Sequence, residues 1–367
     1  MNRALLLVSH VSEFGGAERV LLNLGAALAR RGYKVILCAP VGELMDMASR
    51  EQGLCCVEIP AVARKDVSGA LAHIISVIKA NIIIYRAVLR DYGIRAIVIN
   101  APRAGVYFFP VLMCFFKVNR LSLAHDVVGR KSPDYFFSLW MRRIRVQILP
   151  VSEAIANSLD ISKKQVLPNP VFCRRFFGGR RAHRFVKLGI ITNIAEWKGH
   201  LLALDAISPL LNMDHDLSYE VYGKVLDMNE EPYFQRLLQK LNKIPNCRFA
   251  GYAEDPQNAY SRIDVVIQSS LRSEQPLTLS EAISAGCHIV SPSKGGEVEV
   301  IRCWPEATWF ERGDVESLRN AIVKAIDRVR TRGVIVTHRD YMRWLGEHTE
   351  ENWINHFLSF LDLKNDG

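Results

Sequence analysis

The chain has 367 residues, of which 49% are hydrophobic and 23% charged, and its formal net charge is +9. This length exceeds one ordinary hydrophobic core and indicates two domains, and the composition excludes an intrinsically disordered chain. The eight cysteines follow no CxxC or Cys/His spacing, which excludes a disulfide framework and a zinc module and favours core cysteines in a reducing compartment. The N-terminus begins as a strand without a signal-peptide cleavage site, and no apolar run is expected to span a membrane, so we expect a cytoplasmic protein.

Strand and helix patterns alternate along the whole chain. The strands predicted for the first half are 4–9, 34–38, 56–59, 96–100, 121–125 and 147–151, and those for the second half are 186–191, 218–222, 247–250, 264–268 and 288–291. Amphipathic helical stretches separate them, which indicates parallel sheets covered on both faces. A segment rich in Pro, Gly and Arg interrupts the alternation. We therefore predict an N-terminal domain (1–172), a basic linker (173–184), a second domain (185–338) and a C-terminal helix in 339–367 that packs back towards the N-terminal domain.

Basic residues are concentrated in 172–187, which contains no acid, and in 117–145. Such patches suit nucleic acid, anionic lipid or a phosphorylated ligand. No nucleic-acid motif accompanies them, so we expect no nucleic-acid partner. The apolar, aromatic segment 105–116 lies beside one patch. It is either an ordinary buried helix or a contact with an anionic membrane surface, and both readings remain open.

The segment after the strand 264–268 contains two glutamates, Glu274 in a predicted loop and Glu281 in the helix that follows. A strand end followed by a helix N-terminus is where α/β proteins bind phosphates and sugars, because unpaired N–H groups and the helix dipole point outward there. Glu281 could accept hydrogen bonds from a ribose diol. Taken alone, both residues are equally readable as solvated or capping carboxylates.

Three further motifs follow predicted strands. Gly15 and Gly16 lie between the first strand and its helix, where a backbone without side chains lets an anion approach, although two glycines also make an ordinary turn. Lys198 follows the first strand of the second domain and could neutralise a diphosphate leaving group, or it is a surface lysine. His125 ends a strand and could contact a sugar hydroxyl or phosphate, or it is a core histidine. None of these is a GxGxxG or Walker motif.

Taken in order, the motifs resemble those of the retaining, nucleotide-sugar-dependent glycosyltransferases of family 4. The resemblance is carried by Gly15-Gly16-Ala17-Glu18-Arg19, Val151-Ser152-Glu153-Ala154, Leu167-Pro168-Asn169-Pro170, Glu196-Trp197-Lys198-Gly199, Phe249-Ala250-Gly251-Tyr252, Asp264, the segment from Glu274 to Gly286, and Gly295-Gly296-Glu297. It covers nearly the whole chain. It implies an α/β protein of the GT-B fold, in which two facing Rossmann-like domains with parallel sheets enclose a cleft.

The resemblance also implies roles for individual residues. Glu274, His125 and Lys198 would serve the reaction, with Glu274 facing the donor sugar and Lys198 holding the diphosphate. The residues that would bind the donor are Gly15, Gly16, Asn193, Lys198, Leu277, Thr278 and Glu281. Arg64 and Arg103, in loops of the first domain, would contact the acceptor. The enzyme would transfer a hexose with retention from a nucleotide-diphosphate sugar to an acceptor in bacterial surface-polysaccharide assembly. The acceptor would be a saccharide, either free or lipid-linked. No metal and no cofactor are expected, and a peripheral position on the inner face of the membrane is one hypothesis.

Two departures from the family pattern keep other readings open. Glu274 and Glu281 lie one residue closer together than the usual pair, and Asn193 stands in the region where an arginine commonly forms a second diphosphate clamp. Another cation, for instance from the Arg-rich linker, would have to replace that arginine, or donor affinity is reduced. A catalytically inactive scaffold of the same fold, or a sugar-nucleotide epimerase, is the alternative.

Overall fold

The computed structural model describes residues 4–62, 69–90, 93–171, 178–273, 275–346 and 349–362. The chain divides into two compact units. The first unit comprises Met1–Pro170 together with Glu350–Gly367, and the second comprises Val171–Thr349.

The first unit is built on a six-stranded parallel sheet in the order β3-β2-β1-β4-β5-β6. Its strands are β1 (Ala4–Val8), β2 (Lys34–Pro40), β3 (Leu54–Ile59), β4 (Ile94–Asn100), β5 (Asn119–Ala124) and β6 (Gln147–Pro150). Its helices are α1 (Gly16–Arg30), α2 (Glu43–Ala48), α3 (Ala70–Arg90), α4 (Ala104–Tyr107), α5 (Phe109–Cys114), α6 (Pro133–Arg143) and α7 (Glu153–Ser158). The last helix of the chain, labelled α15 below, also belongs to this unit.

The second unit repeats the same topology, with a six-stranded parallel sheet in the order β12-β11-β10-β7-β8-β9. Its strands are β7 (Val186–Ile191), β8 (Leu217–Tyr222), β9 (Cys247–Gly251), β10 (Val265–Ile267), β11 (His288–Pro292) and β12 (Ala307–Phe310). The helices that follow in chain order are α8 (His200–Met213), α9 (Glu231–Leu241), α10 (Pro256–Ser261), α11 (Leu277–Ser284), α12 (Gly296–Ile301), α13 (Val315–Arg332), α14 (His338–Leu345) and, in the first unit, α15 (Glu350–Asp362).

The predicted fold class is confirmed, because each unit is a Rossmann-like parallel sheet with helices, as in the GT-B fold. The strand order reverses between β1 and β4 in the first unit and between β7 and β10 in the second. At such a switch point the connections leave on opposite faces, and the loops at the carboxyl ends of the two strands open a crevice. These two crevices are where the sequence concentrated its candidate residues.

The described part of the predicted linker is held on the second unit. Residues 172–177 lie outside the described residues, but Arg180 forms an antiparallel bridge with Val334, with 2.9 Å hydrogen bonds in both directions. The Arg180 guanidinium also pairs with Asp264 at 3.2 Å, just before β10. The described part of the linker around Arg180 is therefore packed on the second unit.

The apolar segment 105–116 is not one continuous helix. It forms α4 and α5, and Phe108, Val111 and Leu112 are buried within the first unit, while Met113 and Phe116 remain exposed. Helix α3 is a continuous helix with a larger exposed apolar face. One of its faces is buried, and the other carries exposed isoleucine and leucine side chains. The residues 70–89 of α3 are long and apolar enough to cross a membrane by length and composition, which the sequence analysis did not expect.

Candidate functional site

Three loops of the second unit come together at the carboxyl ends of neighbouring strands β7, β10 and β11. The first loop, after β7, contains a 3₁₀ turn (Glu196–Lys198) and ends at Gly199, where α8 begins. Gly199 has φ 74°, and a Cβ atom on it would lie 2.1 Å from the carbonyl oxygen of Ser269. Only glycine fits this position, because the left-handed backbone and the close approach of the neighbouring loop both exclude a side chain.

The first and second loops are joined by hydrogen bonds. The Ser269 hydroxyl lies 3.1 Å from the carbonyl oxygen of Lys198 and 3.0 Å from that of Gly199. The Leu271 backbone N–H donates to the carbonyl oxygen of Trp197 at 2.7 Å. Lys198 and the segment that leads into α11 are consequently held as one element.

Arg312, which follows β12, ties the second loop to the third. Its guanidinium forms a bidentate ion pair with the fully buried Glu297 at 2.9 and 3.0 Å. The same group donates to the carbonyl oxygens of Ser270, Arg272 and Lys294 at 2.5–2.8 Å. A planar guanidinium suits this task, because its several N–H groups point in fixed directions.

The glycine pair after β11, Gly295 and Gly296, is packed against the second loop. The Gly296 N–H donates to the Ser273 hydroxyl at 2.9 Å. Gly295 has φ 114°, and a Cβ atom on it would lie 2.5 Å from the same hydroxyl oxygen. The three loops thus form one preorganised surface.

Two cations of this surface share one aromatic ring. The Lys198 ammonium lies 4.1 Å from the centroid of the Trp197 indole ring, and the Arg272 guanidinium carbon lies 5.9 Å from the same centroid. The ring face attracts both cations and limits their freedom. Two positive groups held on one indole concentrate positive potential, which suits a ligand with more than one negative charge.

Helix α11 begins at Leu277, five residues after Arg272 in the chain, and carries three of the remaining candidates of the second unit. Leu277 and Thr278 form its first turn, where backbone N–H groups lack partners within the helix. Glu281 lies in the next turn and is 5% exposed, so it is a buried carboxylate rather than the solvated one that the pattern left open. Asn193, in the first loop, is half-buried. Glu274 lies outside the described residues.

In the first unit, the corresponding crevice is formed by the loop after β1 and by the ends of β4 and β5. Gly15 caps the N-terminus of α1, and its N–H donates to the Glu18 carboxylate at 3.2 Å. Gly16 is the first residue of α1 and is exposed, and a Cβ atom on it would meet no heavy atom within 4 Å. Neither packing nor a left-handed backbone therefore requires glycine at this position.

A chain of hydrogen bonds connects this helix start to His125. The Asn100 amide donates to the second oxygen of Glu18 at 3.0 Å, and the Asn100 amide oxygen lies 3.0 Å from Nε2 of His125. Since both Glu18 oxygens accept N–H groups, the Asn100 oxygen must accept from His125, which places the imidazole proton on Nε2. Nδ1 of His125 is then a hydrogen-bond acceptor.

Burial sets the charge state of this network. It lowers the pKa of His125 to about 4, so the imidazole is neutral at pH 7. Burial also raises the pKa of Glu18, and the backbone N–H groups at the start of α1 oppose that shift. His125 is therefore arranged to accept a hydrogen bond from a hydroxyl group rather than to pair with an anion as a cation.

Of the two predicted acceptor residues, the structure describes only Arg103. Arg64 lies outside the described residues. Arg103 is half-exposed and forms a bidentate pair with Asp134, with distances of 2.8 and 2.9 Å. An exposed ion pair of this kind orients the guanidinium but contributes little to the stability of the fold.

Two described arginines of the linker, Arg180 and Arg184, lie away from the cation pair of the second unit. Arg180 pairs with Asp264, and Arg184 pairs with Asp216, both before the start of a strand. Lys198 follows the other end of β7, so the sheet length separates these arginines from it. Arg180 and Arg184 therefore do not replace the missing clamp. The cation found beside Lys198 is Arg272, which the sequence analysis did not select.

Among the residues that the structure describes, no group of three or more His, Cys, Asp or Glu side chains is arranged to hold a metal ion.

Residues 180–334 match the family model described as "Glycosyl transferases group 1". The second unit is a group 1 glycosyltransferase domain. The three joined loops, the cation pair and Glu281 all fall within the matched residues.

Comparison with solved structures extends the fold to the whole chain. A glycosyltransferase from Rickettsia africae has a TM-score of 0.79 at 16% identity, with 100% of this chain and 99% of that chain covered. Anabaena HepE, solved in complex with UDP and glucose, has a TM-score of 0.74 at 14% identity, with 99% of both chains covered. At these identities the likeness establishes the fold, which is that of GT-B glycosyltransferases.

A curated relative is more limited in extent. Protein CapJ of Staphylococcus aureus is 26% identical over 145 residues, which cover 38% of this chain. The chain spans only 35% of the length of that protein.

Several residues of the candidate sites in the two units were missed by sequence reasoning. Glu18 had a local signal, because it stands three residues after Gly15 in the spacing of a capping box. Trp197 stood inside a motif that carried the resemblance and Arg272 stood two residues before another, but nothing in their spacing indicated that they meet. Arg312 follows the unpredicted strand β12, and no local pattern connects it to Glu297.

Proposed function

We propose that this chain is a retaining hexosyltransferase that uses a nucleotide-diphosphate sugar as donor and a saccharide as acceptor. We further propose that it acts on the cytoplasmic side of a membrane, on a lipid-linked acceptor of surface-polysaccharide assembly. The observation that carries the donor class is the surface of the second unit, where Lys198 and Arg272 share one indole and Arg272 lies in the loop that leads into α11. HepE, a protein of the same fold, was solved with UDP and glucose, which supports a nucleotide donor.

In this proposal the second unit holds the nucleotide part of the donor. Lys198 and Arg272 neutralise the diphosphate, and the N–H groups of Leu277 and Thr278 donate to its oxygens. Glu281 accepts hydrogen bonds from the ribose diol, because a buried carboxylate binds two hydroxyl groups well. Asn193 serves as a neutral hydrogen-bonding group in the first loop.

The reaction breaks the bond between the anomeric carbon and the diphosphate oxygen. Negative charge develops on the departing diphosphate, and the two fixed cations stabilise it more in the transition state than in the bound donor. The departing phosphate oxygen takes the proton of the acceptor hydroxyl, whose oxygen forms the new bond on the same face of the sugar. Nucleoside diphosphate and the glycoside are the products.

The residues of the first unit have complementary roles in the proposal. Gly16 leaves room for a phosphate to approach the start of α1, and the neutral His125 accepts a hydrogen bond from a sugar hydroxyl through Nδ1. Glu274 faces the donor sugar near the anomeric carbon. Arg103, oriented by Asp134, and Arg64 contact the acceptor.

The test is a donor-turnover assay. The purified protein is incubated with nucleotide sugars, with and without a lipid-linked saccharide fraction, and the release of nucleoside diphosphate is measured. NMR of the product then gives the anomeric configuration. We expect release that depends on acceptor, and the donor configuration in the product.

Two variants complete the test. Lys198→Ala should abolish most of the release, whereas Lys324→Ala, at an exposed lysine of α13, should not change it. Conversion of a donor without acceptor would identify an epimerase. If no donor is consumed and Glu274→Ala changes no property of the protein, the scaffold reading replaces the proposal.

A further inference from the structure

Helix α3 of the first unit presents an apolar face that is not covered by the rest of the unit. Its large exposed side chains include Leu71, which is 72% exposed, and Ile74, Ile75, Ile78, Ile82 and Leu89, which are 42–54% exposed. A helix has 3.6 residues per turn, so these positions fall on one stripe, about 27 Å long from Leu71 to Leu89. A contiguous apolar stripe of this size on a folded unit marks an interaction surface.

The opposite face of α3 is part of the core of the first unit. Ala80, Ile84, Ala87 and Val88 are buried there. The Asn81 side chain anchors the helix to α4, because its amide donates to the carbonyl oxygen of Tyr107 at 2.8 Å. A helix docked in this way lies on a surface rather than crossing a bilayer, although its length and hydropathy would permit a span.

The stripe continues onto α5 and the residues after it. Tyr85 of α3 packs on Phe115, with ring centroids 5.4 Å apart. Next to this pair, Phe116 is 64% exposed and Met113 is 43% exposed. Aromatic and long apolar side chains at the edge of such a face are suited to the boundary between head groups and acyl chains.

The described charged side chains of α3 itself are all positive. The sequence of α3, Ala70–Arg90, contains no acidic residue. Lys79 and Arg86 are exposed, and because they lie seven residues apart, about two turns, they fall on the same side of the stripe. Lys117, next to Phe116, is also exposed. Apolar residues flanked by lysine and arginine favour an anionic lipid surface. A second copy of this chain is disfavoured, because a symmetric contact through the stripe would bring the same positive groups together.

We propose that the exposed face of α3, extended by Met113 and Phe116, docks the protein on an anionic lipid bilayer with the helix axis in the plane of the surface. The apolar side chains enter the head-group region, and Lys79, Arg86 and Lys117 contact lipid phosphates. This docking is independent of donor chemistry. It is centred on α3 and includes only Met113 and Phe116 of the segment 105–116 that the sequence analysis considered.

The test is co-sedimentation with vesicles of phosphatidylcholine, with and without phosphatidylglycerol. We expect the protein to sediment with the anionic vesicles at low salt and to be released at high salt. Ile78→Glu and Ile82→Glu should each weaken binding about tenfold or more, because a charged side chain replaces an exposed apolar one that enters the head-group region in the docked state. Val323→Glu is the matched control, since Val323 of α13 is 45% exposed in the second unit and should have no effect.

A charge variant separates the lipid contact from general stickiness. Lys79→Glu with Arg86→Glu should reduce binding to anionic vesicles while leaving the melting temperature and nucleotide binding unchanged. Equal binding to both vesicle types, or binding that Ile78→Glu and Ile82→Glu leave intact, would overturn the proposal. Absence of vesicle binding together with self-association that these two variants abolish would show a protein interface instead.

Discussion

A substitution at Gly16 should affect ligand binding and fold stability in opposite directions, which distinguishes a functional glycine from a structural one. A Cβ atom on Gly16 meets nothing within 4 Å, and the residue starts α1 with a helical backbone. Gly16→Ala should therefore raise the free energy of unfolding by roughly 0.4–1 kcal/mol, because alanine has less conformational freedom in the unfolded chain. The same methyl group occupies the space that we assign to a donor phosphate, so nucleotide-diphosphate affinity should fall by about tenfold or more.

The assay combines chemical denaturation with calorimetric titration of the nucleoside diphosphate. Gly199→Ala is the control, because its left-handed φ of 74° and the 2.1 Å approach to Ser269 make that glycine structural. It should lower the free energy of unfolding by roughly 1–3 kcal/mol from backbone strain alone. If Gly16→Ala stabilises the fold without weakening nucleotide binding, the open space around the Cβ position of Gly16 is not a ligand site. If Gly16→Ala destabilises the fold, the glycine is structural and the reasoning is refuted.

Three further changes test other parts of the account. Arg312→Ala should cost about 3–5 kcal/mol of unfolding free energy, since it removes the cation of an ion pair with the buried Glu297 carboxylate. The double variant with Glu297→Ala should recover part of this in a denaturation series. Lys198→Ala and Arg272→Ala should each weaken nucleotide-diphosphate binding by about 10- to 100-fold in titrations. Unchanged affinity in either variant would refute the shared clamp. Because burial lowers the pKa of His125 from 6.5 to about 4, the unfolded chain binds a proton that the folded chain does not between these pH values. Folding stability should thus fall as the pH drops from 6.5 to 4, and His125→Gln should lessen this loss in pH-dependent melting.

Much of the architecture could be predicted because it depends on short-range patterns. Buried parallel strands such as β1 and β10 appear as apolar runs, and the alternation with helices determines that the sheets are parallel. Since the carboxyl ends of parallel strands meet at one edge, the motifs after β1, β7 and β10 could be assigned to sheet edges in advance. The short strand β12 was missed, because four residues carry little periodic signal.

The contacts that assemble the site could not be predicted in the same way. Arg312 and Glu297, or Asn100 and Glu18, meet through tertiary packing between loops that no local spacing relates. The exposed face of α3 was hidden for a different reason. Its sequence is apolar nearly all round, so periodicity does not distinguish the face that packs on the core from the face that remains outside.

The most direct test of the central claim is a thermal-shift series with UDP, GDP, ADP and their sugars. A ligand that binds only the folded protein must raise its melting temperature by mass action. We predict a rise with one nucleotide, reduced in Glu281→Gln and retained in Glu316→Gln, whose side chain is exposed on α13. No rise with any of these ligands, or an equal rise in Glu281→Gln, would contradict the assignment of a nucleotide-sugar site to the second unit.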